Sequence, residues 1–400
     1  MRPDRETTSG EAGTWVAGVG LAVLLTGMMV GAAALLTGCD GGPADGYDPA
    51  LRYPLRADPV VTRLPADTPL APPPAGKLDP SIAALGKVGG AIADPVALPE
   101  LRKQELRQAL DDLFGTPAAP AVGGPVRVGD LDLSADVLAA GSRVYRRLCT
   151  NCHGLTGDGR GPAGPWMYPY PRDVRTGGFK AAAGDRKPTV GELVHLLRAG
   201  VPGSSMQMFD LLPADDLRAV TAYTIHLSLR GEVEAAVIKA ALDPSDDVQD
   251  IAGECRAVLG KAVGKWQAAQ AAPPPAPVPV SDPADPEAVR RGMALFNGPA
   301  AGCAVCHRDY GRQDTYRYDA WGAVVKVHDL TRGEFRWGKD PATLAARIRH
   351  GIPPSGMPAN PSLTEAQVAD LVSFVRELGY PQRLPADVRE KVYPPVRTGP

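Results

Sequence analysis

The sequence predicts an all-α fold of two tandem helical domains, joined by Pro-rich linkers and preceded by a disordered N-terminal tether. Apolar residues recur with the helical period of 3.6 in several segments, and no segment alternates convincingly as a strand. Two separate stretches share a set of motifs, which indicates two copies of one structural unit. Proline and glycine, 42 and 45 of the 400 residues, are enriched and indicate long linkers.

Composition and pattern divide the chain into six segments. They are a signal sequence or membrane anchor at 1–39, a Pro-rich tether with one short helix at 40–130, the first domain at 131–231, a helical extension and Pro-rich linker at 232–285, the second domain at 286–380, and a C-terminal tail at 381–400. The short helix is predicted over 98–114 and is expected to pack on a neighbouring element.

Capping residues predict where several helices begin. Ser134 is a candidate N-cap for the helix that precedes the first cysteine motif. Further helices are predicted over 189–199 and 213–229, with Pro213 as a first helical residue. Thr364 and Gln367 have the spacing of a capping box at the start of the last helix of the second domain.

The six cysteines do not suggest a disulfide framework. Cys39 ends an apolar run, and Cys255 stands alone and is expected to be a buried helix residue. The other four form two motifs in which two cysteines, three residues apart, are followed directly by a histidine: Cys149, Cys152 and His153, then Cys303, Cys306 and His307. This spacing is the pattern of covalent haem attachment.

The chemistry of haem attachment requires these residue types. Two cysteines one helical turn apart can each form a thioether to a haem vinyl group, and the adjacent histidine can present its imidazole to the iron. The sequence therefore predicts two covalently attached haem c groups, with His153 and His307 as iron ligands.

The internal repeat also predicts the ligands on the opposite face of each iron. Met206 follows Gly200 by six residues, as Met357 follows Gly351. A methionine thioether is a soft, neutral ligand that raises the potential of the iron. With both faces filled, oxygen and peroxide have no binding position. Met208, Met167 and His195 remain alternatives to Met206, and His328 remains an alternative to Met357.

On these residues, each domain resembles the small soluble cytochrome c family. The first copy is the nearer one, with Cys-Thr-Asn-Cys-His-Gly at 149–154, Gly-Asp-Gly-Arg-Gly-Pro at 157–162, and then Pro202 and Met206. The resemblance implies that the Pro162 carbonyl accepts the N–H of His153. The second copy has no proline between His307 and Pro341, so the partner of His307 stays open.

Other conspicuous residues have simpler interpretations. His226 is expected to be a surface or hydrogen-bonded histidine, and His350 a packing residue or the partner of a haem propionate, rather than iron ligands. The stretch 308–339 is rich in aromatic residues, which either wall the second haem or form a docking surface for a redox partner.

The N-terminal segment predicts export and membrane attachment. Residues 15–37 are uncharged and largely apolar, and Leu36-Thr37-Gly38-Cys39 resembles the lipobox of bacterial lipoproteins. That resemblance implies cleavage before Cys39 and its acylation. The run is also long enough to span a bilayer uncut. Both alternatives place the body of the chain outside the cytoplasm, on the periplasmic side of a membrane.

The predicted function is electron transfer rather than substrate chemistry. A net charge of −2 gives no sign of a nucleic-acid partner. The expected partners are redox proteins: a quinol-oxidising complex or dehydrogenase on one side of the relay, and a terminal oxidase or soluble cytochrome on the other, with the direction of electron flow left open. Two alternatives remain, a dihaem peroxidase and a fixed cytochrome subunit of a respiratory complex.

Overall fold

A computed structural model describes residues 46–63, 91–124, 131–167, 169–246, 248–274, 276–312, 315–320 and 323–394. The chain divides into two units, Met1–Asp48 and Pro49–Pro400. All the helices and strands below belong to the second unit. The apolar run at 15–37, Cys39 and the Pro-rich part of the tether at 64–90 lie outside the described residues.

The described residues are mainly helical, which confirms the predicted class. Their α-helices are α1 Glu100–Phe114, α2 Ala135–Leu148, α3 Thr150–His153, α4 Val190–Ala199, α5 Ala214–Leu242, α6 Ile251–Ala271, α7 Pro286–Asn297, α8 Pro341–His350, α9 Glu365–Glu377 and α10 Ala386–Val392. Among these helices, none combines the length and the apolar character needed to cross a membrane.

Two short antiparallel hairpins accompany the helices and were not predicted. Strand β1 (Val60–Arg63) pairs with β2 (Ala91–Ala93), and β3 (Tyr316–Tyr318) pairs with β4 (Val324–Lys326). Strands of three or four residues are too short to show the alternation by which a strand is recognised in a sequence.

In the first domain, α2 and α5 cross at a glycine. A Cβ atom on Gly141 would lie 2.0 Å from the Ala219 carbonyl oxygen, so only glycine allows the two helices to approach this closely. One turn later, Tyr145 meets Tyr223 edge to face, with ring centroids 5.2 Å apart. The crossing fixes the direction in which α2 enters the first cysteine motif.

The second domain repeats this crossing between α7 and α9. A Cβ atom on Gly292 would lie 2.0 Å from the Asp370 carbonyl oxygen. Phe296 then meets Phe374 edge to face at 5.4 Å. The glycine-to-aromatic spacing that the sequence repeats is therefore one packing arrangement, used twice.

Parts of the predicted tether at 40–130 belong to the core of the first domain. Tyr53 is 1% exposed, and its hydroxyl hydrogen-bonds the Tyr223 hydroxyl at 2.8 Å. Helix α1, which was predicted at 98–114, packs against α5 and α6 and buries Leu106, Leu110 and Phe114. These described parts are thus not a free spacer, because their apolar side chains are removed from water.

The predicted ends of the two domains also fall inside packed structure. Helix α5 runs without a break through residue 231, and Trp266 of α6 is fully buried against Phe179 at 5.7 Å. In the predicted tail at 381–400, α10 buries Val388 and Val392 completely. The first domain therefore includes α6, and the second includes α10.

The helix starts show which capping predictions the structure bears out. Thr364 forms the predicted capping box with Gln367, and Thr189 forms another, which was not predicted, at the start of α4. Ser134 occupies the N-cap of α2, but its side chain makes no capping hydrogen bond. Pro213 is the N-cap of α5 rather than its first helical residue, with an extended backbone.

Substituting the crossing glycine tests this packing. Gly141→Ala should lower the free energy of unfolding by about 1–3 kcal/mol, since the new methyl group forces two helix backbones apart. Gly260→Ala is the matched control, because no atom lies within 4 Å of its Cβ position on α6. That control should be neutral or stabilising by up to about 1 kcal/mol. Urea unfolding measures both, and equal midpoints for the two variants would contradict the close crossing.

Candidate functional site

A cavity of about 990 Å³ lies in the first domain beside the first cysteine motif. Its wall includes Cys149, Cys152, His153 and Met206. A volume of this size is at the upper end of the range for small-molecule and cofactor sites, about 300–1,000 Å³. The cavity therefore brings together the four residues that the sequence predicts for the first haem.

The first motif is held by a tight turn after α2. Cys149 N–H donates to the Tyr145 carbonyl at 2.8 Å, and His153 N–H donates to the Cys149 carbonyl at 2.8 Å. The Tyr145 hydroxyl donates to the Gly154 carbonyl at 3.1 Å and so anchors the end of the motif. Burial raises the pKa of the Cys149 thiol to about 12 and also raises that of Cys152. Both cysteines lie on one helical turn, as attachment to a single haem requires.

The His153 ring is oriented by a backbone carbonyl. Its Nδ1 donates to the carbonyl oxygen of Arg172 at 3.1 Å, because a carbonyl can only accept. Burial lowers the pKa of His153, which favours the neutral ring. The proton on Nδ1 leaves the Nε2 lone pair for a metal ion. The assignment of this role to Pro162 is therefore wrong.

A short capped turn places the Arg172 carbonyl. The Asp173 side chain accepts a hydrogen bond from Arg175 N–H at 3.0 Å and begins a single 3₁₀ turn, Val174–Thr176. Gly177 ends that turn in the left-handed region, with φ of 67°.

The second domain builds the same support for His307. The His307 Nδ1 donates to the carbonyl oxygen of His328 at 3.2 Å, and burial lowers the His307 pKa to about 4. Asp329 begins the turn Leu330–Arg332 by accepting from Thr331 N–H at 3.0 Å, and Gly333 ends it with φ of 68°.

This support was missed in the sequence, although a signal was present. Arg-Asp-Val-Arg-Thr-Gly at 172–177 matches His-Asp-Leu-Thr-Arg-Gly at 328–333 in its aspartate, its apolar residue and its glycine. The residue whose carbonyl accepts the bond directly precedes the aspartate in both copies. Because that carbonyl belongs to the backbone, its side chain is free to differ.

The two methionines occupy equivalent turns. Val201 N–H donates to the Met206 carbonyl at 3.0 Å, and Ile352 N–H donates to the Met357 carbonyl at 3.0 Å. Gly200 and Gly351 begin these turns with φ of 65° and 67°, values that favour glycine.

The alternative ligands are placed differently. Met208 is 62% exposed and lies off the cavity wall, whereas Met167 lies on it together with Met206. His195 is exposed on α4 and does not line the cavity. The His328 Nε2 contacts the Glu334 carbonyl, and its own carbonyl holds His307. His328 is thus on the supporting side of His307.

The structure also places the two histidines and the cysteine that belong to neither haem motif and are not candidate iron ligands. His226 is fully buried, its Nε2 lies 3.0 Å from the Phe114 carbonyl, and its ring stacks on Tyr223 at 5.5 Å. His350 is exposed at the end of α8. Cys255 is fully buried in α6, where burial raises its pKa to about 12.

An ion-pair cluster forms one side of the cavity. Both carboxylate oxygens of Asp58 accept from the Arg175 guanidinium at 2.9 Å, and Arg56 and Arg160 lie 2.6 and 3.5 Å away. Burial alone would raise the pKa of Asp58, but the nearby guanidinium groups hold it well below its usual range. A charged cluster this buried is stable only while all its members are paired.

Residues of the second domain complete the wall. Ala323, Val324 and Val325 of the β3–β4 hairpin line the first cavity, as do Arg336 and Trp337. Trp337 packs on the core of the first domain, while Tyr310 and Phe335 pack on the second. The aromatic stretch at 308–339 therefore serves both domains, rather than forming only a wall of the second haem or only a docking surface.

The ion-pair cluster predicts a pH-dependent stability. Asp58→Asn should cost about 3–5 kcal/mol at pH 7, because it leaves buried guanidinium groups without a counter-charge. The pKa of Asp58 is lower in the folded state than in the unfolded chain, where it is about 3.9, so the contribution is complete above about pH 5 and declines as pH falls below that value. Urea unfolding should therefore show a smaller difference from the unsubstituted protein at pH 3 than at pH 7.

Asp215→Asn is the control for that experiment. The Asp215 side chain is 94% exposed and makes only a 3.7 Å pair with Arg218, so little change is expected at either pH. An Asp58→Asn cost that is the same at pH 3 and pH 7 would contradict the depressed pKa.

Comparison with known proteins shows a family to which both domains are similar. Residues 136–223 and 287–375 match the model of the family described as cytochrome c oxidase, cbb3-type, subunit III. A solved chain of the reducing HAO-like protein complex of Kuenenia stuttgartiensis is 23% identical, with a TM-score of 0.42, over 60% of this chain and 95% of that chain. That likeness is too distant to bear on function, and the curated proteins contain no match. Each of the two matched regions holds one cysteine motif, which is consistent with two tandem c-type cytochrome domains that are similar to this family.

Proposed function

We propose that the chain carries one haem c in each domain and passes single electrons between membrane-associated respiratory partners. The observation that carries this proposal is the duplicated support: a capped turn presents a carbonyl to His153 and to His307 at 3.1 and 3.2 Å. A structural histidine needs no such duplicate, whereas an iron ligand needs a fixed ring and a fixed tautomer.

The residues present in the first domain fit a haem. Cys149 and Cys152 would hold it through thioethers, and His153 and Met206 would provide the axial ligands on a cavity of sufficient size. Cys303, Cys306, His307 and Met357 have the same order and spacing in the second domain. When bound, the haem iron supplies a reversible one-electron change of oxidation state.

The protein's own groups then set the type of reaction. If His153 and Met206 both ligate the iron, no coordination position is left for a small molecule. The methionine thioether favours the ferrous state and raises the potential. These roles support an electron carrier over a peroxidase, which would need one accessible iron face and a nearby acid–base residue.

The proposed partners rest on the matching family and on the predicted location at a membrane surface. The matching family is described as a subunit of an oxidase, which favours a terminal oxidase as an acceptor. A quinol-oxidising complex or a dehydrogenase would supply the electrons, and a soluble cytochrome is the other acceptor of suitable chemistry. A membrane tether would raise the local concentration of the carrier near such partners.

Anchoring through Cys39 is part of this proposal. Acylation of Cys39 would hold the chain on the periplasmic face of a membrane. In cells that attach haem c, the unsubstituted protein should take up a palmitate analogue, and Cys39→Ala should abolish that labelling. An unsubstituted protein that stays in the membrane fraction without any label would support an uncleaved membrane span instead.

Replacing the methionines tests the electron-carrier assignment. Met206→Leu should lower the potential of one haem, or open its iron to added ligands such as cyanide, because leucine has no donor atom. Met208→Leu is the matched control, since Met208 is 62% exposed and lies off the cavity. A redox titration followed by absorbance measures both variants. An unchanged spectrum and potential in Met206→Leu would show that another residue ligates the first iron.

A further inference from the structure

A carboxylate of the second domain is buried against the first. Asp319 follows strand β3 and is 0% exposed. Its Oδ2 lies 3.3 Å from Nη1 of Arg172 and 3.2 Å from Nζ of Lys180, both in the first domain. Its Oδ1 accepts from Ala323 N–H at 2.9 Å, which closes the hairpin. One oxygen thus shapes the hairpin while the other binds the neighbouring domain.

Arg172 links this carboxylate to the first iron ligand. Its side chain pairs with Asp319, and its carbonyl oxygen accepts the Nδ1–H of His153 at 3.1 Å. The residue that orients the proximal histidine is therefore itself restrained from the second domain. Arg172 also lines the cavity, so the pair lies next to the space that a haem would occupy.

Lys180 provides a second link across the same interface. Its Nζ pairs with Asp319, while its carbonyl and that of Ala181 accept from the Arg347 guanidinium at 3.2 and 2.7 Å. Arg347 is 7% exposed and lies over the Trp337 ring at 5.6 Å. Such buried charges hold one geometry, because separating them would leave each without a partner in a dry environment.

The interface also reaches the methionine turn of the second domain. Gly184 N–H donates to the Gly351 carbonyl at 2.9 Å, and Gly351 begins the turn that ends at Met357. The contact surface therefore joins the support of one iron site to the ligand turn of the other.

We propose that Asp319 is a positioning residue for the first haem and that the second domain is a fixed wall of the first haem site. The two haems then keep a constant separation, and one electron moves between them within the chain while no bond forms or breaks and no proton is transferred. This inference rests on the proposed function, since it requires a haem in each domain.

The charges of Asp319 and Lys180 predict the direction in which each substitution shifts the potential of the first haem. Asp319→Asn removes a negative charge beside the first haem, which destabilises the more positive ferric state and raises the potential. Lys180→Met removes a positive charge at the same place and lowers the potential. Loosening of the interface alone would shift both variants in one direction, so opposite shifts distinguish an electrostatic positioning role from a purely structural one.

The test is a redox titration of the haem-loaded protein at pH 6. Burial lowers the pKa of Lys180 to about 7, so its ammonium group is charged at this pH. The transition that Met206→Leu moves is assigned to the first haem. Asp319→Asn should raise the potential of that transition and Lys180→Met should lower it, with the second transition moving less in both. Hydrogen exchange over residues 172–187 should be faster in Asp319→Asn.

Asp387→Asn is the matched control. Asp387 is another carboxylate of the second domain, paired with Arg290 at 2.9 Å within that domain and half-exposed. It should leave both transitions and the exchange of 172–187 unchanged. If Asp319→Asn does not fold, Lys180→Met is compared with Lys180→Arg, which keeps the positive charge beside Asp319. A lower first potential in Lys180→Met alone would support the inference, and equal shifts in the two variants would overturn it.

The failure of this inference differs from the failure of the proposed function. Two one-electron transitions in the unsubstituted protein, with the first unmoved by Asp319→Asn and Lys180→Met, would overturn the positioning role only. Shifts of the same sign in both variants would also overturn it. Absence of two such transitions in the unsubstituted protein would contradict the proposed function itself.

Discussion

The close crossing of two helices at a glycine is the constraint on which each cytochrome domain depends. Because Gly141 and Gly292 have no side chain, α2 and α7 lie directly on the backbones of α5 and α9. This contact determines where each helix delivers its cysteine motif. A larger residue at the crossing would displace the whole motif from the turn that supports its histidine. The packing of two backbones thus controls the geometry of a metal site several residues away.

A backbone carbonyl completes each site. A carbonyl that accepts from Nδ1 fixes both the plane and the tautomer of an imidazole, so the other nitrogen is available to iron. In the first domain, that carbonyl belongs to Arg172, whose side chain is held by Asp319 of the second domain. In the second domain, His328 has the same role within its own domain. The two copies therefore share one design but differ in what restrains it.

The features predictable from the sequence are those with local signals. The cysteine motifs, the methionine turns and the crossing glycines each recur at fixed spacing, and the capping boxes need only four residues. The Arg172 carbonyl was missed because the accepting residue itself differs between the two copies, and only the aspartate, the apolar residue and the glycine that follow it are repeated. Pro162 was the nearer candidate by resemblance. The packing of Tyr53 on Tyr223 was missed because it joins residues far apart in the chain, in a segment whose prolines suggest a spacer. The burial of Asp319 depends on how two domains meet, which no local pattern encodes.

An equilibrium redox titration of the purified, haem-loaded protein, paired with a peroxide-turnover assay on the same sample, tests the central claim most directly. Two haems with His/Met ligation on a fixed pair of domains predict two one-electron transitions at clearly positive potentials and no consumption of peroxide. One strongly negative haem, with peroxide consumed once the protein is half-reduced, would contradict the account. That result would mean that one domain lacks its methionine ligand and that the chain is an enzyme.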